Sequence, residues 1–291
     1  MTKSGERMRF LCNLFLLLDY SFGFKQNHAI DLTHKVDENT VAWPSASKFK
    51  AQNVIKMQVG GEDGYWYEAR DFTQAEHSGT HMDAPAHFAK NKWHTADVPL
   101  ERLAGPGVKI SNEERAKADL DTGLTVADIE KWEVEHGPIP DGAVVIVHSG
   151  HGKLYGKLQY FGRPAELNLP ENDTDHLHFP GVEPEAASWL AENRKIVGLG
   201  IDTPSTDKGQ SKKFLTHQIL SQSNIWGLEN LARTDELPEV GFVVYNMVHK
   251  LKGGSGGPTR VVAILDGNSS VGGLLPNAKE LLMFLIFVLH I

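Results

Sequence analysis

The sequence predicts an α/β fold. Two observations carry that reading: apolar runs of strand length alternate with capped amphipathic stretches of helix length, and no long structureless linker or internal repeat interrupts them. In chain order, Thr125 opens a helix to about Glu135. Asp128 stands three residues on as in a capping box, Val126, Ile129 and Trp132 line one face, and Gly137 closes it. Residues 143–148 form a compact apolar run between Asp141-Gly142 and Ser149-Gly150, read as a buried strand. A second helix starts after Val182, with Pro184 in its first turn and Ala186, Ala187 and Leu190 following. Residues 196–201 read as a strand that delivers Asp202 and Thr203 at its C-terminal end, and 214–221 as a short amphipathic helix. Further strands are expected at 242–248 and 260–265, with the Gly-rich stretch 253–257 as a loop. One catalytic domain over residues 28–266 accounts for these elements.

Composition narrows the function. The chain of 291 residues is 41% hydrophobic and 23% charged, which suits a globular protein. A formal net charge of −8, with no long run of Lys or Arg, disfavours nucleic acid as a partner. The single cysteine, Cys12, cannot form an internal disulfide. Lys3, Arg7 and Arg9 precede an apolar run at 10–18, and Ser21-Phe22-Gly23 resembles a small-x-small cleavage site, so residues 1–27 have the outline of a signal peptide. Small residues at 267–270 and the apolar stretch 281–291 make 267–291 a candidate GPI-anchor signal, and hence a membrane attachment, with a packed terminal element as the alternative. Asn172-Asp-Thr174 and Asn268-Ser-Ser270 are acceptor triplets for glycosylation. Together these predict a secreted or cell-surface protein, with a cytoplasmic one as the alternative.

The chemistry is concentrated in His77-Ser-Gly-Thr-His-Met-Asp-Ala-Pro-Ala-His87. Imidazole and carboxylate ligands suit Zn²⁺ or Mn²⁺, and no thiol is at hand. His77, His81, Asp83 and His87 are all odd-numbered, so an extended chain would set them on one face; Gly79 and Pro85 argue against a continuous helix. Three ligands, His77, His81 and Asp83, leave coordination positions open for a water and a substrate carbonyl, as hydrolysis requires. His87, beyond a rigid Pro, is placed to move a proton to the leaving nitrogen. Trp43, Trp66 and Tyr67 are candidates to wall an aromatic pocket, while His148 and His151 have no evident role.

This segment resembles the His-x-Gly-Thr-His-x-Asp-x-Pro-x-His signature of the cyclase family, which includes bacterial-type kynurenine formamidases and isatin hydrolases. Trp43-Pro44, Asp202-Thr-Pro-Ser205 and Gly227-Leu-Glu-Asn-Leu231 resemble further family segments. The resemblance implies a single swivelling β/β/α-type α/β domain, usually oligomeric as a dimer or tetramer. It implies metal binding by His77, His81 and Asp83, proton transfer by His87, substrate contact near Trp43, and one or two ions. In the formamidases a distal His and Glu hold a second zinc with the Asp bridging, and His217 and Glu229 occupy the matching positions; isatin hydrolases resemble single-manganese enzymes. The expected activity is hydrolysis of an amide in a small aromatic substrate, of the N-formylkynurenine type linked to tryptophan catabolism. Two alternatives are an isatin-type opening of a cyclic amide and a non-catalytic secreted metal-binding protein. Gly-x-Ser-x-Gly and P-loop patterns are missing, which argues against serine-nucleophile and nucleotide chemistry.

Overall fold

The computed structural model describes residues 28–266. The leader, Cys12, the Asn268 triplet and the candidate anchor signal lie outside the described residues. The strands are β1 (Ala29–Asp31), β2 (Lys50–Val59), β3 (Tyr65–Thr73), β4 (His81–Asp83), β5 (Ala104–Ser111), β6 (Gly123–Leu124), β7 (Val144–His148), β8 (Gly181–Val182), β9 (Gly198–Ile201), β10 (Trp226–Glu229), β11 (Phe242–Val248) and β12 (Gly256–Leu265). The helices are α1 (Glu113–Ala118), α2 (Val126–His136), α3 (Pro184–Asn193) and α4 (Leu215–Gln222).

Helix α2 begins and ends where its caps predict. Thr125 and Asp128 form the reciprocal capping box, and Gly137 ends the helix at φ 84°. Its Ile129 and Trp132 join α3 and α4 residues in a layer over Val145 and Val147 of β7. The neighbouring β7 residues, Val144 and Ile146, point the other way, into a second core with Trp226, Leu228 and Phe242. Residues two apart share a face of a strand, so one apolar run serves both layers.

The sheet has eight strands in the order β1-β12-β11-β5-β7-β9-β10-β4. It is parallel from β5 through β7 and β9 to β10, and antiparallel elsewhere. β4 also pairs with the first residues of β12, so the sheet curls into a barrel-like ring. That closure corrects one expectation: Gly256 and Gly257 are not loop but the start of β12, because β4 offers them an edge to pair with. A second departure is the β2–β3 hairpin, two strands that pair with each other and with no other named strand. Its sequence carries no single buried face, so alternation does not announce it.

Candidate metal centre and its cavity

Three local features set out the motif. Gly79, at φ 61°, turns the chain just after Ser78 bridges to Ala42, a conformation that costs glycine little. β4 then runs for three buried residues, with His81 and Asp83 on one face. Pro85 starts a short 3-10 turn, Pro85–His87, that swings His87 back toward the others. The segment is thus not one extended strand with four residues on one face, as the odd numbering suggested. Only His81 and Asp83 obey that rule.

Register brings the distal residues in. Glu229 of β10 lies directly opposite His81, and Gly227 opposite Asp83. On the other edge Gly256 faces Asp83, and a Cβ there would stand 2.4 Å from the His77 ring. Glycine at 256 is therefore what makes room for His77. Helix α4 supplies His217, whose side chain is buried at 7% exposure.

The side chains converge on Asp83. Its Oδ1 lies 2.7 Å from His77 Nδ1 and 3.2 Å from His81 Nε2, and its Oδ2 lies 3.1 Å from His217 Nε2. Glu229 adds Oε1 at 3.0 Å from His217 Nε2 and Oε2 at 3.5 Å from His81 Nε2. Two donor sets share Asp83: His77 with His87, and His81 with Glu229. His87 is half-buried and stacks on His77, ring centroids 3.9 Å apart.

This cluster fits a cation. His81 Nε2 is buried and makes no hydrogen bond, despite two carboxylate oxygens within 3.5 Å. Ligands about 2.1 Å from a tetrahedral ion stand about 3.4 Å from one another, close to the spacings found. Burial alone would push the His81 imidazole down, yet Asp83 and Glu229 raise it to about 9. His217 is likewise raised, with burial opposed by hydrogen bonds to Asp207, Asp83 and Glu229. Carboxylates that draw protons onto buried imidazoles mark a place where positive charge is stabilised.

Several supporting residues carry no local signal. Asp207 accepts from His217 Nδ1 at 2.6 Å, and from Ser211 Oγ and the backbone N–H groups of Thr216 and His217. That orients the His217 Nε2 toward Asp83. The Gly79 carbonyl holds His81 Nδ1 at 2.9 Å and also accepts from Asn230 Nδ2. Glu76 accepts from Ser255, whose Oγ lies 3.0 Å from His77 Nε2. Asp207 sits two residues past the Asp202–Ser205 stretch, and only its hydrogen bonds single it out.

The cluster floors a cavity of ≈ 290 Å³ walled by Val41, Trp43, Phe88, Phe161, Pro204 and Phe214. Trp43 borders it, as the sequence suggested. Trp66 does not: it is 60% exposed on β3, in the hairpin that pairs only with itself. Tyr67 is exposed on the same strand. His148 and His151 are buried but do not border the cavity; His148 Nδ1 meets Thr234 Oγ1 and His151 Nε2 meets the Tyr160 carbonyl.

Comparison with known proteins finds relatives in sequence and in structure. The Cyclase family model matches residues 30–208. An isatin hydrolase from Roseibium aggregatum is 32% identical over 249 residues, covering 81% of this chain and 91% of the relative. A kynurenine formamidase from Bacillus cereus is 24% identical over 240 residues, covering 82% and 98%. Among solved structures, isatin hydrolase A from Labrenzia aggregata bound to benzyl benzoate superposes with a TM-score of 0.71 at 30% identity, covering 81% of this chain and 93% of that one.

Proposed function

The chain belongs to the cyclase family, and from that premise we propose that it is a metal-dependent hydrolase that cleaves the carbon–nitrogen amide bond of a small aromatic substrate. The observation that carries this reading is the Asp83-centred cluster of His77, His81, His217 and Glu229 at the floor of an aromatic-walled cavity. These residues would hold Zn²⁺ or Mn²⁺, and Asp83 belongs to both candidate donor sets. When bound, such an ion supplies a Lewis acid that polarises a carbonyl and acidifies water.

The chain's own side chains supply the rest. Trp43, Phe88 and Phe214 offer flat apolar faces for an aryl ring. Burial pushes His87 down to about 4, so its imidazole is neutral at ordinary pH: a weak base, but once protonated a strong acid toward the departing nitrogen. The arylformamide reading and the cyclic-amide reading use the same machinery. The 32% identity to an isatin hydrolase gives the second its support.

The direct test is hydrolysis of N-formylkynurenine and of isatin by purified protein. Turnover of at least one is expected to vanish on chelation and return with Zn²⁺ or Mn²⁺. Folded, metal-loaded protein that turns over neither would remove both substrates and leave another small aromatic amide or the non-catalytic reading.

A milder effect is expected behind the cluster. Asp207→Asn removes the charge that orients His217 and should weaken metal affinity by about 10–100-fold. Competition with a chromophoric chelator measures this, and an unchanged affinity would remove Asp207 from the site.

The β2–β3 hairpin supports self-association. Met57, Tyr65, Trp66 and Phe72 are each about half exposed or more on a two-stranded ribbon, a form with little stability by itself in water. A homo-oligomer that packs these ribbons would cover them. Sedimentation of the wild type as a dimer or tetramer, and of Tyr65→Ser/Trp66→Ser as a smaller species, is the expected result. A wild-type monomer at micromolar concentration would contradict it.

A further inference from the structure

Three histidines meet the Asp83 carboxylate, each with one ring nitrogen turned toward it and one turned away. What holds the outward nitrogen differs among them. His81 Nδ1 meets the Gly79 carbonyl, and His217 Nδ1 meets the Asp207 carboxylate. Both partners are oxygens that only accept, so each outward nitrogen carries a proton and Nε2 faces the cluster. His77 is turned the other way round: its Nδ1 faces Asp83 and its Nε2 lies 3.0 Å from Ser255 Oγ. A hydroxyl both donates and accepts, so Ser255 alone fixes no proton on His77.

Glu76 removes that freedom. Its Oε2 accepts from the backbone N–H groups of Ser255 and Gly256 at 2.9 and 3.3 Å and lies 2.9 Å from Ser255 Oγ. The hydroxyl has one proton, and a bare lone pair set against that carboxylate oxygen would be repelled. The proton therefore points to Glu76, and Ser255 Oγ is left to accept from His77 Nε2–H. Ser255 is itself pinned: its carbonyl accepts from the Ala84 N–H, and the next residue, Gly256, pairs with Asp83. The His77 ring stacks on His87 and leaves no space for a Cβ at Gly256, so only the place of its proton is open.

We infer that Glu76 and Ser255 are positioning residues that keep the proton of neutral His77 on Nε2, which leaves the Nδ1 lone pair open to the ion that the Asp83 cluster would hold. This rests on the metal-dependent reading and deepens it. Without Glu76 the Ser255 hydroxyl is free to turn and donate to Nε2, which drives the proton onto Nδ1 and closes that lone pair. Removing the serine as well takes the wrong donor away.

The test is Zn²⁺ affinity by competition with a chromophoric chelator. Glu76→Ala should weaken it by about 10–100-fold. Ser255→Ala should cost about fivefold, the worth of one neutral hydrogen bond. The double variant Glu76→Ala/Ser255→Ala should then bind Zn²⁺ more tightly than Glu76→Ala does. Glu76→Gln, which keeps an accepting oxygen, should lose less than Glu76→Ala. Nitrogen NMR of isotope-labelled histidines, with His77 identified through His77→Gln, reads the proton directly. Nε2 should carry it in the metal-free and the Zn²⁺-loaded wild type alike.

A double variant that binds Zn²⁺ more weakly than Glu76→Ala would overturn the inference, since Glu76 then only shapes the backbone around Ser255. A wild-type His77 with its proton on Nδ1 and a bare Nε2 would overturn it too, even where a variant fails to fold. Wild-type protein that binds no Zn²⁺ but keeps the proton on Nε2 would retain the positioning pair and lose the metal-dependent reading. Zn²⁺ binding that Glu76→Ala leaves unchanged would do the reverse.

Discussion

Asp83→Asn is expected to abolish hydrolysis and strip the protein of its metal. Both oxygens of Asp83 are committed, Oδ1 toward His77 and His81 and Oδ2 toward His217. Burial works against its charge, but the neighbouring histidines hold the carboxyl well below the usual carboxylate range. An amide of the same shape loses that charge and turns an N–H₂ group toward the other donors. The loss should exceed the 10–100-fold expected for a residue behind a ligand and reach at least about 10³-fold in kcat/KM. Metal content after gel filtration and turnover measured on one preparation check this. A variant that keeps its metal and most of its activity would show that the cluster is not the catalytic centre.

His87→Asn should separate chemistry from binding. If His87 moves the proton, turnover should fall by about 10²–10⁴-fold while the metal stays bound. The alternative is built into the geometry, because His87 shares a donor set with His77 and Asp83. Loss of metal together with activity would make it a ligand instead. The pH profile adds a second readout. Its folded-state value of about 4 is depressed by burial, and a cation beside Asp83 would repel the proton further. The imidazole therefore stays neutral well below pH 6, and His87 should impose no loss of kcat/KM between pH 8 and 6.

Much of the molecule was legible because short-range rules govern it. Thr125, Asp128 and Gly137 bracket α2, since caps satisfy orphan backbone groups within a few residues. The apolar run around Val144–His148 is a strand buried on both faces. Gly256 was not legible. It reads as a loop glycine until β12 is seen to pair with β4, and then its missing Cβ is what admits the His77 ring. Trp66 was read from its closeness to the motif in sequence, and it lies exposed on the β2–β3 ribbon and does not border this chain's cavity.

The segment from His77 to His87 carries its donors within a few residues of one another, so its residue types alone pointed to a cation and to hydrolysis. His217 and Glu229 gained meaning from family resemblance, and Asp207 and Ser255 from neither pattern nor spacing. Tertiary structure decided where they stand: cross-strand register for Glu229, and the packing of α4 and the loops for the others. With β4 held between β10 and β12, Glu229 falls opposite His81, and α4 carries His217 to within 3.1 Å of a carboxylate 134 residues away in the chain. A local motif can specify which atoms are offered to a ligand. Only the closure of the sheet determines which distant atoms meet them, because that pairing depends on contacts no single segment contains.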